Sequence, residues 1–80
     1  MDQSIHNYIK NKRLLITGAS GYLANNLAKF LKDFPCTIRR FTRKAKLPSL
    51  KGTAIVEDLQ GDICDTTLWE RAVDGVDIVF

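Results

Sequence analysis

From Arg13 onward the chain alternates short apolar runs with amphipathic stretches. Leu14, Leu15 and Ile16 are consecutive apolar residues, the pattern of a parallel strand buried on both faces. From Tyr22, the apolar positions Leu23, Leu27, Phe30, Leu31 and Phe34 make one stripe of a helix, and Asn25, Asn26, Lys29, Lys32 and Asp33 lie on its polar face. Pro35 disfavours helical angles in its predecessor, so this helix is predicted to end near Phe34. Residues 37–42 are β-branched and aromatic enough for a second strand, with Ile38 and Phe41 packing and Arg39 and Arg40 reaching out at its edges. The connection over 43–53, with Pro48 and Gly52, has little helical periodicity. A third strand is predicted over 55–60, its register left open by Glu57 and Asp58. Asp65 is a suitable N-cap for a short helix over 66–73 whose Leu68, Trp69 and Ala72 face inward. Gly75 stops that helix, and residues 76–80 begin a fourth buried strand. Residues 1–12 form a polar extension in which Ile5, Tyr8 and Ile9 stand at helical offsets, so a turn of helix there is expected to dock on the domain spanning 13–80.

Strands alternating with helices predict an α/β fold with a parallel sheet and right-handed crossovers. In a Rossmann-like arrangement the four strands lie in the order 3-2-1-4, and the ligand crevice opens between the first and fourth. The first strand runs directly into Gly18-Ala19-Ser20-Gly21. Gly18 can take backbone angles closed to other residues, and Gly21 removes a side chain where a pyrophosphate would approach the backbone. The first turn of the following helix offers unpaired N–H groups and the positive end of the helix dipole, which together stabilise an anion.

Composition narrows the setting. The chain has 80 residues, enough for at most one small domain, and its apolar share of 45% is that of a globular protein. No apolar run approaches the roughly 18 residues of a membrane span, and residues 1–12 lack the apolar centre of a secretory signal, so a cytoplasmic location is expected. Cys36 and Cys64 have neither CxxC spacing nor a nearby histidine and read as packing thiols; metal ligands are not expected. His6 stands alone in a polar leader and is expected to be solvated. The net charge of +3 is unevenly spread: Arg39, Arg40, Arg43, Lys44, Lys46 and Lys51 follow one another without an acid, whereas the stretch beyond Gly52 is acidic. Such a basic segment suits nucleic acid, solvent or one additional phosphate, and no interleaved aromatic platform supports nucleic acid.

The sequence from Thr17 to Ala24 resembles the TGxxGxxG signature of the extended short-chain dehydrogenase/reductase family, the NAD(P)-dependent epimerases and dehydratases. Thr17, Gly18, Gly21, Tyr22 and Leu23 fit its usual form, and Ala24 replaces the third glycine, a departure that concerns helix-to-strand packing. Gly61-Asp62-Ile63-Cys64-Asp65 resembles the family's GDIxD segment, and Val76-Asp77-Ile78-Val79-Phe80 its fourth strand. The resemblance implies that Thr17, Gly18, Ser20, Gly21, Tyr22 and Leu23 surround the cofactor's phosphates. It gives Asp62 a hydrogen bond to the adenine amine and Ile63 an apolar contact with the ring.

Family members that prefer NAD carry an acid at the end of the second strand, about 20 residues after the glycine turn. Thr42 stands there, followed by Arg43 with Lys44 and Lys46 nearby, so a ribose 2′-phosphate at Arg43 is expected and NADP is favoured over NAD. The family's Tyr-x-x-x-Lys pair belongs after the fourth strand and does not occur in these residues; Tyr8 and Lys12 share its spacing but precede the first strand. The expectation is therefore the amino-terminal, cofactor-binding part of a longer enzyme, one that acts on a nucleotide sugar or related small-molecule substrate and is homodimeric. Two other readings stay open: a non-catalytic NAD(P)-sensing module, and a basic module that binds nucleic acid through residues 39–51. A P-loop is excluded because no GK[ST] closes the glycine turn.

Overall fold

The computed structural model describes residues 3–43, 47–62 and 64–80. Its elements, in chain order, are α1 (Gln3–Ile9), β1 (Arg13–Ile16), α2 (Tyr22–Leu31), β2 (Thr37–Thr42), β3 (Ile55–Gln60), α3 (Thr66–Val73) and β4 (Ile78–Val79). The four strands form one parallel sheet in the order β3-β2-β1-β4, a Rossmann-like α/β arrangement.

Side chains alternate across a strand, and this divides the core between the two faces of the sheet. Leu14, Ile16 and Ile38 pack on one face with Ala28 and Leu31 of α2, together with Phe34, Cys36 and Leu47. Leu15 and Phe41 pack on the other with Ala72 of α3, flanked by Leu59, Leu68 and Trp69. Phe41 and Trp69 stack, their ring centroids 5.6 Å apart. Asp65 caps α3, its carboxylate accepting the Leu68 N–H at 3.2 Å.

The helix α2 ends three residues before the expected point. Its last turn tightens as Phe34 N donates to Leu31 O at 3.0 Å, and Phe34 stays buried beyond the helix. The buried stripe is also rotated from the expected one: Ala24, Leu27, Ala28 and Leu31 turn toward the core, whereas Leu23 is 81% exposed and Phe30 half exposed. The alanines let α2 lie close to the sheet, which moves the larger side chains to its flank. The leader helix α1 docks as expected, burying Ile9. His6 is not the solvated residue expected. Its ring lies 6.1 Å from that of Phe34, and its Nδ1 is buried with no hydrogen-bond partner among the described residues. Cys36 is buried as expected, but Cys64 is exposed because it sits in the turn ahead of α3 rather than on a packed face.

The arginines of β2 do not reach out into solvent. The parallel register sets Arg39 opposite Glu57 and Arg40 opposite Asp58, so the acids that obscured the third strand are the partners of these bases. Arg39 Nη1 donates to the carbonyls of Arg71, Ala72 and Asp74 at 2.9–3.0 Å, closing the carboxyl end of α3. Arg40 is 4% exposed. Its Nε and Nη2 hold both Asp58 oxygens at 2.6 and 2.9 Å, and its Nη1 holds Pro48 O at 2.9 Å. The strand β4 is shorter than expected, at two residues, although pairing continues around it: Asp77 N donates to Arg13 O and Phe80 N to Leu15 O, both at 2.8 Å.

Candidate functional site

All four strands point their carboxyl ends the same way, and the candidate residues lie along that edge. Where β1 ends, Thr17 donates through both its backbone N and its Oγ1 to Phe80 O, at 3.1 and 2.9 Å, which ties the turn to the segment after β4. Gly18 has φ +59°, in the left-handed region that disfavours a side chain. Ala19 is buried, and its N donates to Phe41 O at 3.1 Å, fastening the other side of the turn to β2. Gly21 N then closes the loop onto Gly18 O at 2.9 Å. A Cβ at Gly21 would stand 3.2 Å from that same oxygen, a crowded position.

Gly21 is the N-cap of α2, extended at φ −76° and ψ 160°, and contributes no side-chain cap. The first helical bond of α2 is Asn25 N to Gly21 O, at 3.0 Å. The N–H groups of Tyr22, Leu23 and Ala24 precede it in the first turn, where an anion is stabilised. A cleft of about 510 Å³ opens beside them, walled by Thr17, Gly18, Gly21, Tyr22, Leu23 and Phe80. Ala24 also touches the cleft and packs on the core, so its methyl is accommodated where the family places a glycine. Ser20 is exposed and does not line the cleft. The cleft also takes in Ile16, Leu27 and Phe80, which sequence reasoning did not single out. Phe80 could have been found from the pairing of β4 with β1, which brings its carbonyl to Thr17.

Thr42, Arg43 and Asp62 stand further along the same edge. Thr42 is buried, and its carbonyl accepts Gly61 N at 2.9 Å, so the ends of β2 and β3 are tied together. Arg43 is exposed. The Asp62 carboxylate accepts Cys64 N at 2.9 Å; this bond, aided by the Arg43 charge, holds its pKa below the usual carboxylate value. Ile63, Lys44 and Lys46 lie outside the described residues. Tyr8 and Lys12 are near each other, the Lys12 ammonium 5.5 Å from the Tyr8 ring centre, but they precede the amino end of β1, away from the cleft.

A parallel sheet whose first strand leads through a glycine turn to an uncapped helix N-terminus defines a dinucleotide-binding protein of the Rossmann type. The residues fit such a cofactor: the turn leaves space over Gly18, and the donors offered are main-chain N–H groups. Comparison with known proteins gives the family. Residues 14–80 match the NAD dependent epimerase/dehydratase family, and the chain belongs to it. It is 40% identical over 68 residues to a 3 beta-hydroxysteroid dehydrogenase/Delta 5-->4-isomerase of Mycobacterium tuberculosis, a match covering 85% of this chain and 18% of that protein. It is 33% identical over 85 residues to an uncharacterized membrane protein of Methanocaldococcus jannaschii, covering all of this chain and 26% of that protein. The chain thus spans about a fifth to a quarter of the length of these relatives. No solved structure matches it. Among the described residues no helix is long and apolar enough to cross a membrane.

Proposed function

We propose that the chain is the NAD(P)-binding, amino-terminal part of a longer oxidoreductase. The observation that carries this reading is the turn from Thr17 to Gly21, fastened to β2 and to the segment after β4, which delivers the uncapped start of α2 to the cleft. The N–H groups of that first turn bind the pyrophosphate, and Gly21 keeps the approach clear. Thr17 holds the turn against Phe80. Asp62, its carboxyl held down in pKa by the bond from Cys64, accepts the adenine amine, and the family resemblance gives Ile63, outside the described residues, an apolar contact with the ring. Arg43 meets the ribose and pairs with a 2′-phosphate, while buried Thr42 ties the end of β2 to β3 beneath it. A bound nicotinamide cofactor would supply hydride transfer, accepting hydride from a hydroxyl-bearing carbon of the substrate when oxidised and returning it to a carbonyl carbon when reduced.

The resemblance to the epimerases and dehydratases implies a nucleotide sugar or related substrate, whereas the name of the mycobacterial relative supports a hydroxysteroid. The nucleic-acid reading loses support because Arg39 and Arg40 are committed to carbonyls and carboxylates within the chain. A sensing module would share the cofactor site and differ in having no turnover. Titration calorimetry with NADP+ and NAD+ tests the assignment at Arg43. NADP+ should bind more tightly, and Arg43→Ala should reduce that preference by about tenfold or more, since hydrogen bonds to charged groups contribute roughly 1.5–3 kcal/mol. Equal affinities in the unmutated chain would remove Arg43 from the site.

A further inference from the structure

The two helical layers that cover the sheet differ in charge. On one face, α3 and its flanking turns carry Asp65, Glu70, Asp74 and Asp77, with Arg71 as the one base of the helix. The layer on the other face runs from α1 through the turn after it to α2 and residues 47–53. It carries Lys10, Lys12, Lys29, Lys32 and Lys51 against one acid among the described residues, Asp33, which is already paired with Lys32 at 3.3 Å. Backbone bonds gather these lysines at one corner. Asn11 N donates to Pro35 O and Ala54 N to Lys32 O, both at 2.8 Å, so the turn after α1 and the return of the β2–β3 connection both close on the end of α2. Ring contacts tie the corner further: Phe34 meets His6 of α1 at 6.1 Å and Phe30 of α2 at 5.4 Å. Three apolar side chains project from this packing. Ile5 is 40% exposed, Tyr8 61% and Phe30 50%, and Ile5 and Tyr8, three residues apart, share one side of α1. Lys12 stands over the Tyr8 ring and Lys29 directly precedes Phe30, so an ammonium group borders each aromatic tip.

We propose that this corner, formed by α1 and the carboxyl half of α2, is a docking surface for an anionic lipid bilayer. Ile5, Tyr8 and Phe30 enter the headgroup layer while the lysines, on flexible stems, reach the lipid phosphates. Charge alone would suit any polyanion, and it is the apolar tips that select lipid. Nucleic acid offers aromatic rings a base to stack on but gives aliphatic Ile5 no partner. The acidic α3 layer is repelled by the same surface, which orients the approach. Because α2 begins at the cleft and ends at this corner, docking leaves Gly18 and Gly21 open to solvent, and binding here is independent of the cofactor site.

The test is vesicle flotation of the full chain with phosphatidylcholine alone and with phosphatidylcholine mixed with phosphatidylserine. The protein should float with the mixed vesicles only, and less so as salt is raised. Lys10→Gln/Lys29→Gln should lower partitioning about tenfold or more, since each lysine near an anionic surface contributes about fivefold. Tyr8→Ser/Phe30→Ser should also lower it, at low and at high salt. No flotation with the mixed vesicles, equal flotation with both kinds, or flotation unchanged in either double variant would overturn the proposal. So would capture of a DNA duplex that survives Tyr8→Ser/Phe30→Ser while the mixed vesicles are ignored, because the corner would then be a nucleic-acid face. Trp69 fluorescence, from the opposite layer, checks folding. Phe30 packs on Phe34, so should its double variant unfold, Tyr8→Ser alone, at an exposed position, decides the apolar part.

Discussion

Substitution of Arg39 by methionine removes a helix closure that can be assessed from the geometry. Arg39 Nη1 faces three carbonyls, those of Arg71, Ala72 and Asp74, while carrying two hydrogens, so at least one hydrogen is shared. Its Nε meets Glu57 at 3.3 Å, a pair whose acid is 49% exposed and which contributes at most about 1 kcal/mol. The arginine side chain itself is 15% exposed, so the carbonyl contacts are shielded from solvent, and Ala72 beneath them is fully buried. Water can reach the exposed Arg71 and Asp74 carbonyls in the variant, which limits the loss. Counting two charge-assisted bonds and discounting for that replacement gives a loss of about 2–3 kcal/mol. Against a stability of about 0.05–0.15 kcal/mol per residue, or about 4–12 kcal/mol for 80 residues, this is roughly a sixth to three quarters of the total. The melting temperature should fall by about 10–20 °C. Trp69 lies in α3 on Phe41, so its fluorescence in a urea or thermal melt reports the affected element directly. Glu57→Gln, measured beside it, should cost no more than about 1 kcal/mol. Equal and small losses in the two variants would show that Arg39 is an ordinary surface ion pair and not a closure of α3.

Two further outcomes follow from the titrating groups. The folded-state pKa of Asp62 is depressed, so its contribution to stability is present above the unfolded carboxylate value and disappears as pH falls through the lower folded value. A carboxyl titration followed by NMR should place Asp62 below an ordinary aspartate, and a midpoint at or above the ordinary value would contradict the Cys64 bond. Burial raises the Cys36 thiol, which favours the protonated form in the folded state, so that contribution is present below the unfolded thiol value and lost as pH rises through the folded one. At neutral pH a thiol reagent should modify exposed Cys64 rapidly and Cys36 only on unfolding; rapid modification of both would show that the face of the sheet beneath α2 is open.

The elements with one dominant local signal were legible in the sequence. The β-branched run of β2, the Asp65 cap and the glycine after α3 each have a single physical reading, and those spans fall where they were expected. The end of α2 was less legible because Phe34 is apolar and on the helical stripe, yet packs from a tightened turn. Charge was misread in β2 for a reason that periodicity cannot supply. Whether an arginine in a strand reaches solvent depends on what the neighbouring strand places opposite it, and the register with Glu57 and Asp58 exists only once the sheet is assembled. The same holds for His6, whose apparent isolation in the leader ends when α1 docks against Phe34. At the site, the glycine spacing revealed the turn from local chemistry alone, whereas the bonds from Thr17 to Phe80 and from Ala19 to Phe41 join residues far apart in the chain.

If the turn from Thr17 to Gly21 and the start of α2 hold the phosphates of a dinucleotide, a negative charge at Gly21 should abolish binding. Calorimetric titration of NADP+ into the unmutated chain and into Gly21→Asp tests it most directly. The aspartate would bring a Cβ to 3.2 Å from Gly18 O and set a negative charge where the pyrophosphate belongs. Trp69 fluorescence, which reports the distant α3 face, shows whether the variant remains folded. Measurable binding to the unmutated chain and none to a folded Gly21→Asp are expected. Unchanged affinity in that variant would contradict it and would place the cofactor somewhere other than this turn.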